Sequence, residues 1–410
     1  MKILIAAASF ASNLSGIQRH AFNLARCLQA QPEISELHIV VAPWQRNLVR
    51  AAGFRMDVRL TTYVAGTAQG ALSRNLWYYH ALPALAAQLE VDLVHLSYPM
   101  PINAAAFHCP TVVTLHDLYP YEIPKNFGFP KFIFNRIVLR QCLRNADAIA
   151  CVSEATSSRL RQYTPSSVWR KAIRIYNCVE AEPLTTNVSP IPGWMREPFM
   201  LCIAQHRRNK NIPLLIQAFD CLLRSGRIEP QSKLVIVGIH GPESNKINRL
   251  LSASGLSHRV HLLEGISEQE LQWCYLNCEA LIAPSITEGF GLPVAEGLLA
   301  GCRIVCSDIP AHREIGDAHC HFFPLQPNAV EALADAIPAA LQVPKAAPVS
   351  LPQLAAPVLG SQYIALYRRL IASAAKTHEV QASGSINIAA AARVSVIASD
   401  HHPSLQRKGN

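Results

Sequence analysis

The stretch T-E-G-F-G-L-P-V-A-E-G-L-L-A-G-C, residues 287–302, sets two carboxylates, Glu288 and Glu296, on either side of a segment that cannot be one continuous helix. Gly289 and Gly291 permit positive φ and close approach of the backbone. Pro293 fits the first turn of a helix, where its missing N–H is no loss. The preceding run Ala280-Leu281-Ile282-Ala283 reads as a short buried strand; Val294, Ala295, Leu298 and Leu299, with Gly301 at the end, read as a short helix. The pattern is strand, glycine loop, helix. In a parallel α/β sheet such a loop lies at the carboxyl end of a strand and aims backbone N–H groups at an anion. Acids beside a phosphate repel it, so Glu288 and Glu296 suit neutral hydroxyls. A nucleotide sugar presents both kinds of group. A βα turn with two solvated acids would explain the stretch alone equally well, so the rest of the chain decides.

The chain has 410 residues, more than one ordinary core, which suits two domains with a tail. Half of it is hydrophobic and 16% is charged, which excludes a disordered protein. The 12 cysteines are scattered, several in apolar runs (Cys151, Cys202, Cys302, Cys306), and no C-x-x-C pair of a zinc site occurs. They read as reduced, buried thiols of a cytoplasmic protein. The opening M-K-I-L-I-A-A-A-S-F-A-S runs directly into Gly16-Ile17 and an amphipathic helix with Ala21, Leu24, Ala25 and Leu28, so it reads as a first β-strand rather than a secretion signal. The uncharged run 346–367 is broken by Pro348, Pro352 and Pro357, and no segment suits a membrane span. A net charge of +9 points to anionic partners, a nucleotide or a membrane surface. Nucleic acid is not indicated, because no basic-aromatic cluster of a binding module appears.

Apolar runs alternate with helical patterns in two sets: Ile3–Ala8, His38–Val41, Leu93–Leu96, Val112–Leu115 and Ala148–Val152, then Met200–Ala204, Leu234–Val237, Val260–Leu263, Ala280–Ala283 and Arg303–Cys306. This alternation predicts two Rossmann-like, doubly wound parallel sheets facing a cleft. The spacing sets an N-terminal domain at 1–180, a Pro/Thr/Ser-rich linker at 181–196 and a second domain at 197–361. A C-terminal helix at 362–375 is expected to pack back on the first domain, and 376–410, with the adjacent His401 and His402, reads as a disordered tail. Neither set carries G-x-G-x-x-G, which argues against a nicotinamide enzyme.

Several motifs recur in order. Ser15-Gly16-Ile17-Gln18-Arg19-His20 opens the first helix, Thr114-Leu115-His116-Asp117 follows a strand, and Val152-Ser153-Glu154 precedes a helix. Then come Tyr176-Asn177-Cys178-Val179-Glu180, His206-Arg207-Arg208-Asn209-Lys210-Asn211, the stretch from Glu288 to Glu296, and Ser307-Asp308-Ile309-Pro310. With these motifs the chain resembles the family 4 glycosyltransferases of the GT-B fold over most of residues 1–375; Cys178 stands where that family usually has Gly.

The resemblance implies roles, with the first domain, 1–180, on the acceptor side and the second, 197–361, binding the nucleotide sugar. Glu288 would bind hydroxyls of the donor sugar near the reacting carbon, the amides of Phe290, Gly291 and Leu292 would meet sugar and phosphate oxygens, and Glu296 would bind the ribose diol. Lys210 with Arg207 or Arg208 would neutralise the diphosphate, and Gly16 would approach the donor from the first domain. His116 would position the sugar and steady the positive charge that develops on it. The implied reaction is retaining and needs no metal or other cofactor: a hexose such as mannose passes from a GDP- or UDP-sugar to a cell-surface glycan or lipid-linked precursor. The alternatives are a sugar epimerase or phosphorylase, which shares the GT-B fold, and a catalytically silent partner subunit, against which the intact Glu288, Glu296 and Lys210 argue. Finally, P-K-N-F-G-F-P-K-F-I-F-N-R-I-V-L-R-Q-C-L-R at 124–144 interleaves phenylalanines with Lys125 and Lys131, then repeats arginine at 136, 140 and 144. It reads either as a solvated helix face with Ile137, Val138 and Leu143 packed inward, or as a peripheral contact with an anionic membrane on its inner face.

Overall fold

The computed structural model describes residues 1–12, 15–51, 59–179, 197–381 and 394–396. The first sheet contains β1 (Lys2–Ala6), β2 (Glu36–Val41), β3 (Leu60–Ala65), β4 (Leu93–Leu96), β5 (Thr111–Leu115), β6 (Ala148–Cys151) and β7 (Ala172–Arg174). The second contains β8 (Phe199–Ile203), β9 (Lys233–Val237), β10 (Val260–Leu263), β11 (Ala280–Ala283), β12 (Ile304–Ser307) and β13 (His321–Phe323). These strands are parallel throughout, in the orders β3-β2-β1-β4-β5-β6-β7 and β10-β9-β8-β11-β12-β13. A short β14 (Val394–Val396) adds antiparallel to β3.

The ten strands read from the sequence match within two residues at each end. Those not read are edge or terminal strands. β3, Leu-Thr-Thr-Tyr-Val-Ala, is half polar because only one of its faces is fully covered, and β7 and β13 have three residues each, too few to show a period.

Strand pleating sends alternate residues into separate cores. On one face of the first sheet Leu4 and Ala6 pack with Tyr78, Leu82, Leu139 and Leu143. On the other, Ile3 and Ile5 pack with Leu24 and Leu28 and with Leu359, Tyr363 and Tyr367 of the last helix, Ala356–Gln381. That helix therefore returns the chain from the second sheet to the first. A polar chain anchors it inside: Tyr367 Oη lies 2.5 Å from His95 Nδ1, His95 Nε2 lies 2.8 Å from Thr114 Oγ1, and His20 Nε2 lies 3.1 Å from the same oxygen. The expected linker, 181–196, lies outside the described residues. Of the expected tail, 376–381 complete the last helix and Val394–Val396 pair with β3; the remainder, with His401 and His402, also lies outside. All twelve cysteines are free thiols. Among the described residues no helix is long and apolar enough to cross a membrane.

Each strand order reverses once, between β1 and β4 and between β8 and β11, and ligand crevices form at the carboxyl ends of strands at such points. The two crevices face each other across a closed cleft. Ser153 Oγ and Thr156 Oγ1 (3.0 Å) both donate to the carbonyl of Gly289, and Arg159 Nη1 donates to that of Glu288 at 2.7 Å. In return the Glu314 carboxylate accepts the amides of Glu154 and Ala155, at 2.7 and 3.0 Å, capping the helix Glu154–Tyr163 from the opposite domain. Asn126 completes the seam, accepting from the Arg208 amide at 3.1 Å and donating to Asn209 Oδ1 at 3.0 Å. Position 289 admits only glycine, because a Cβ there would overlap the carbonyl oxygen of His116. Gly289→Ala should therefore hold the domains apart. X-ray scattering should show a larger radius of gyration than the parent's with unchanged helix and strand content by circular dichroism, whereas an unchanged radius would show that the seam does not close the cleft.

Candidate active site at the facing switch points

Leaving β11 at Ala283, the chain reaches Glu288 through Pro284-Ser285-Ile286-Thr287, and the Ile286 amide donates to the Asn209 carbonyl at 2.7 Å. That bond joins the loop to the turn Arg208–Lys210, which follows β8 and ends in Asn211 at φ 54°, a left-handed conformation that asparagine tolerates. The Lys210 ammonium thus meets Glu288 Oε1 at 2.5 Å. Ser285 donates to the same oxygen at 2.6 Å, and Tyr119, from across the cleft, donates to Oε2 at 3.2 Å. Glu288 is 7% exposed. Burial works against its charge, but the Lys210 ammonium and the Ser285 hydroxyl outweigh it and hold the carboxyl below its ordinary pKa.

Gly291, at φ 96°, turns the chain into the helix Leu292–Leu299; the Val294 and Ala295 amides donate to the Gly291 carbonyl at 3.0 and 3.2 Å and Pro293 has no N–H, so the N–H groups that this helix start can offer a ligand are those of Gly291 and Leu292. Phe290 is a core residue, its ring 6.0 Å from that of Tyr176, so only its backbone can serve the cleft. Opposite stands Gly16, first residue of the helix Gly16–Gln29; a Cβ there would lie 3.8 Å from Leu292 Cδ1. Glu296 sits one turn into its helix. Tyr275 Oη donates to its Oε2 at 2.6 Å and Arg19 Nη1 to its Oε1 at 3.2 Å, while Arg19 Nη2 reaches Glu268 at 2.5 Å.

The two arginines before Lys210 diverge. Arg207 is half-buried and its charge acts on Asp117 inside the cleft, whereas Arg208 is exposed. His116 Nε2 donates to the Ser97 carbonyl at 2.8 Å, and its ring stands edge-on to His20 at 4.7 Å between centroids. Desolvation pushes its pKa down to about 4, so the ring is neutral at pH 7. Its neighbour Asp117 is pushed up to about 6 by burial, against the Tyr119 amide and the Arg207 charge, with Glu122 and Glu288 adding repulsion.

The residues singled out in the sequence thus gather at one place: Gly16 and His116 on one wall; Lys210, Glu288, the backbone of Phe290–Leu292 and Glu296 on the other. Arg208 alone stands off, by its side chain. Sequence reasoning missed Tyr119, Ser285, Arg19 and Tyr275, which partner the two acids, and the raised pKa of Asp117. Arg19 lay within a motif already noted, but its partner Glu296 is 277 positions away, a distance that no local spacing reports. Among the described residues no group of three or more His, Cys, Asp or Glu is arranged to hold a metal ion.

Comparison with known proteins agrees with this geometry. The family model for glycosyltransferase family 4 matches residues 14–183, and that for glycosyl transferases group 1 matches 187–348. O-antigen chain mannosyltransferase B of Escherichia coli is 23% identical over 365 residues, 83% of this chain and 91% of that protein. The serotype-specific mannosyltransferase WbdA of Escherichia coli is 26% identical over 236 residues, 53% of this chain but 28% of that longer protein. Among solved structures, Anabaena HepE in complex with UDP and glucose superposes with a TM-score of 0.60 at 17% identity, over 93% of this chain and 99% of that one. WaaG, a glycosyltransferase involved in lipopolysaccharide biosynthesis, superposes with a TM-score of 0.61 at 16% identity, over 93% of this chain and 100% of that one. The chain belongs to the family 4 glycosyltransferases and has their GT-B fold.

Proposed function

We propose that this enzyme is a retaining, metal-independent transferase that moves a hexose, mannose or a similar sugar, from a GDP- or UDP-sugar to a growing cell-surface glycan of the lipopolysaccharide or exopolysaccharide type. One observation carries the donor site: a buried carboxylate and an ammonium, Glu288 and Lys210, paired at 2.5 Å beside the start of a helix at a topological switch point. A nucleotide sugar exchanges both partners. Its diphosphate takes Lys210, Arg207 and the helix N–H groups, and its sugar hydroxyls take Glu288. Glu296 holds the ribose diol, giving up Arg19 or sharing it. The mannosyltransferase relatives support mannose, and the UDP-bound neighbour keeps a UDP-sugar open.

In the reaction the acceptor hydroxyl attacks the anomeric carbon on the face from which the phosphate leaves. The carbon–phosphate-oxygen bond breaks, its electron pair passes to the β-phosphate, and that oxygen takes the acceptor's proton. Fixed cations and helix N–H groups stabilise the departing charge without reorganising. His116, neutral and held by Ser97, positions the sugar without adding a like charge to the developing oxocarbenium ion.

The acceptor side is read from the surface. Phe129 is 81% exposed and Ile137 60%, with Ile133 and Phe134 also outward, and Lys125, Lys131, Arg140 and Arg144 flank them. This corrects the inward packing expected for Ile137. It also shortens the arginine stripe, because Arg136 folds back, donating to the carbonyls of Pro120 (2.7 Å) and Tyr121 (3.3 Å). Four exposed apolar side chains ringed by cations suit an anionic bilayer, where each nearby cation adds about 1 kcal/mol. We therefore assign the enzyme to the inner face of the cytoplasmic membrane as a peripheral protein.

Glu288→Gln should abolish transfer yet leave GDP or UDP binding near the parent's, whereas Glu296→Gln should weaken the nucleotide by about 1–3 kcal/mol, the cost of an unpaired hydroxyl partner. Titration calorimetry separates the two, and equal effects on nucleotide affinity would overturn the division of labour. Lys210→Ala should lower kcat/KM by about two orders of magnitude, while a chelator leaves the parent rate unchanged; loss of activity with a chelator, restored by a divalent ion, would disprove the metal-free reaction. Replacing Lys125 and Lys131 by Glu should reduce sedimentation with anionic liposomes and transfer to a lipid-linked acceptor, with donor hydrolysis preserved. Unaltered liposome binding would move the acceptor into solution.

A further inference from the structure

His312 belongs to the short helix Pro310–Gly316 and is 1% exposed. The roles above leave it unused. Its Nδ1 lies 3.0 Å from the Ser307 carbonyl oxygen and 3.2 Å from Ser307 Oγ. The Ser307 hydroxyl proton is already given to the Ser285 carbonyl. Both Ser307 oxygens facing the ring are therefore acceptors, so Nδ1 carries the ring proton and Nε2 keeps its lone pair. The edge bearing Nε2 is turned to Gly291, where a Cβ would stand 3.2 Å from Cδ2 and 3.8 Å from Nε2. Glycine at 291 thus answers both to its φ of 96° and to the closeness of this ring.

The same hydrogen-bond chain reaches Glu288. Ser307 donates to the Ser285 carbonyl, and Ser285 donates to Glu288 Oε1 at 2.6 Å. One rigid run thus fixes two acceptors, the Glu288 carboxylate and the His312 lone pair, at opposite ends of the loop 285–291. Phosphate oxygens are themselves acceptors and are turned away by such groups, whereas sugar hydroxyls are donors and match them. Burial lowers the His312 pKa against the pull of Glu288, which keeps the lone pair available at neutral pH.

We infer that His312 is a sugar-reading residue, its Nε2 accepting a hydrogen bond from a hydroxyl of the transferred hexose other than those bound by Glu288. The inference rests on the donor site proposed above. Calorimetry with GDP, UDP, GDP-mannose and UDP-glucose separates sugar from nucleotide. His312→Leu should weaken the sugar nucleotide that the parent binds by about tenfold or more, and leave its nucleoside diphosphate within about twofold. His312→Gln, whose amide oxygen reaches the Nε2 position, should recover most of the loss. If the leucine variant fails to fold, His312→Asn replaces it, since its amide reaches Ser307 but not the sugar. Against a series of monodeoxy donors, one should bind the parent as weakly as the full donor binds the leucine or asparagine variant, and lose nothing further there. Equal weakening of diphosphate and sugar nucleotide would overturn the inference, as would a further loss with every deoxy donor. A parent that binds neither GDP nor UDP would instead defeat the donor site itself.

Discussion

The carbonyl of Gly289 is where the two domains become one enzyme. It receives hydroxyls from Ser153 and Thr156, and the glycine bears no side chain because the His116 carbonyl occupies that space. Each domain is a doubly wound sheet with cores on both faces, and one core of the second also takes in Val152 and Val179 of the first. Neither crevice alone can enclose a two-substrate reaction. Joining them at Gly289 brings Tyr119 of the first domain onto Glu288 of the second and sets Gly16 against Leu292. Glu314, capping a helix of the opposite domain, tightens the same seam from its other side. The seam is mixed: beside these polar contacts, Val152 and Val179 of the first domain share a buried apolar cluster with Phe290 of the second, and Tyr176 packs against it.

Charge is arranged by the same logic. Glu288 is buried with Lys210, and Glu296 is half-buried with Arg19, so each acid is balanced by a cation from another segment. Buried ion pairs contribute little net stability, because desolvation offsets their attraction, but removing one partner is costly. Such pairs are suited to exchange. A ligand that brings anions for the cations and hydroxyls for the acids replaces every interaction that it breaks. A ligand with only one of the two leaves a buried charge unmatched. The chemistry of the recognised donor follows from that requirement, and it is stricter than the presence of two acids in a glycine loop.

The parallel strands were legible because those buried on both faces are continuous apolar runs. The strands at the edges were not, because β3 is half polar and β7 and β13 are too short to show a period. The loop holding Glu288 and Glu296 was legible for a different reason: Gly289, Gly291 and Pro293 dictate backbone conformation locally, so the strand–loop–helix could be drawn from residues 280–302 alone. Partners were illegible. Tyr119, Tyr275 and Arg19 reach the two acids only after the sheets are stacked and the cleft is shut, and the orientation of His312 depends on where one hydroxyl proton of Ser307 goes. The helix Lys131–Asn145 shows the converse. Arginines spaced by four suggested one basic face, but the carbonyls of Pro120 and Tyr121 draw Arg136 inward and leave Ile137 outside.

That outward face is tied to the site through Asn126 as well as through Arg136. Asn126 lies three positions before Phe129 and is buried between the domains, bonded to the Arg208 amide and to Asn209, the turn that carries Lys210. The apolar tip and the turn bearing Lys210 are therefore two ends of one short, hydrogen-bonded path. A surface that engages Phe129 and Ile133 would bear on the orientation of the cleft as well as its distance, through Gly128 at φ 71° and the Asn126 contacts. It also runs through the domain seam, so that whatever holds the tip in place bears on the closure that sets Glu288 against Tyr119. An acceptor held at a membrane is confined to a plane. For the proposed lipid-linked acceptor, an enzyme gains from having the turn that carries Lys210 fixed relative to that plane rather than left to tumble above it.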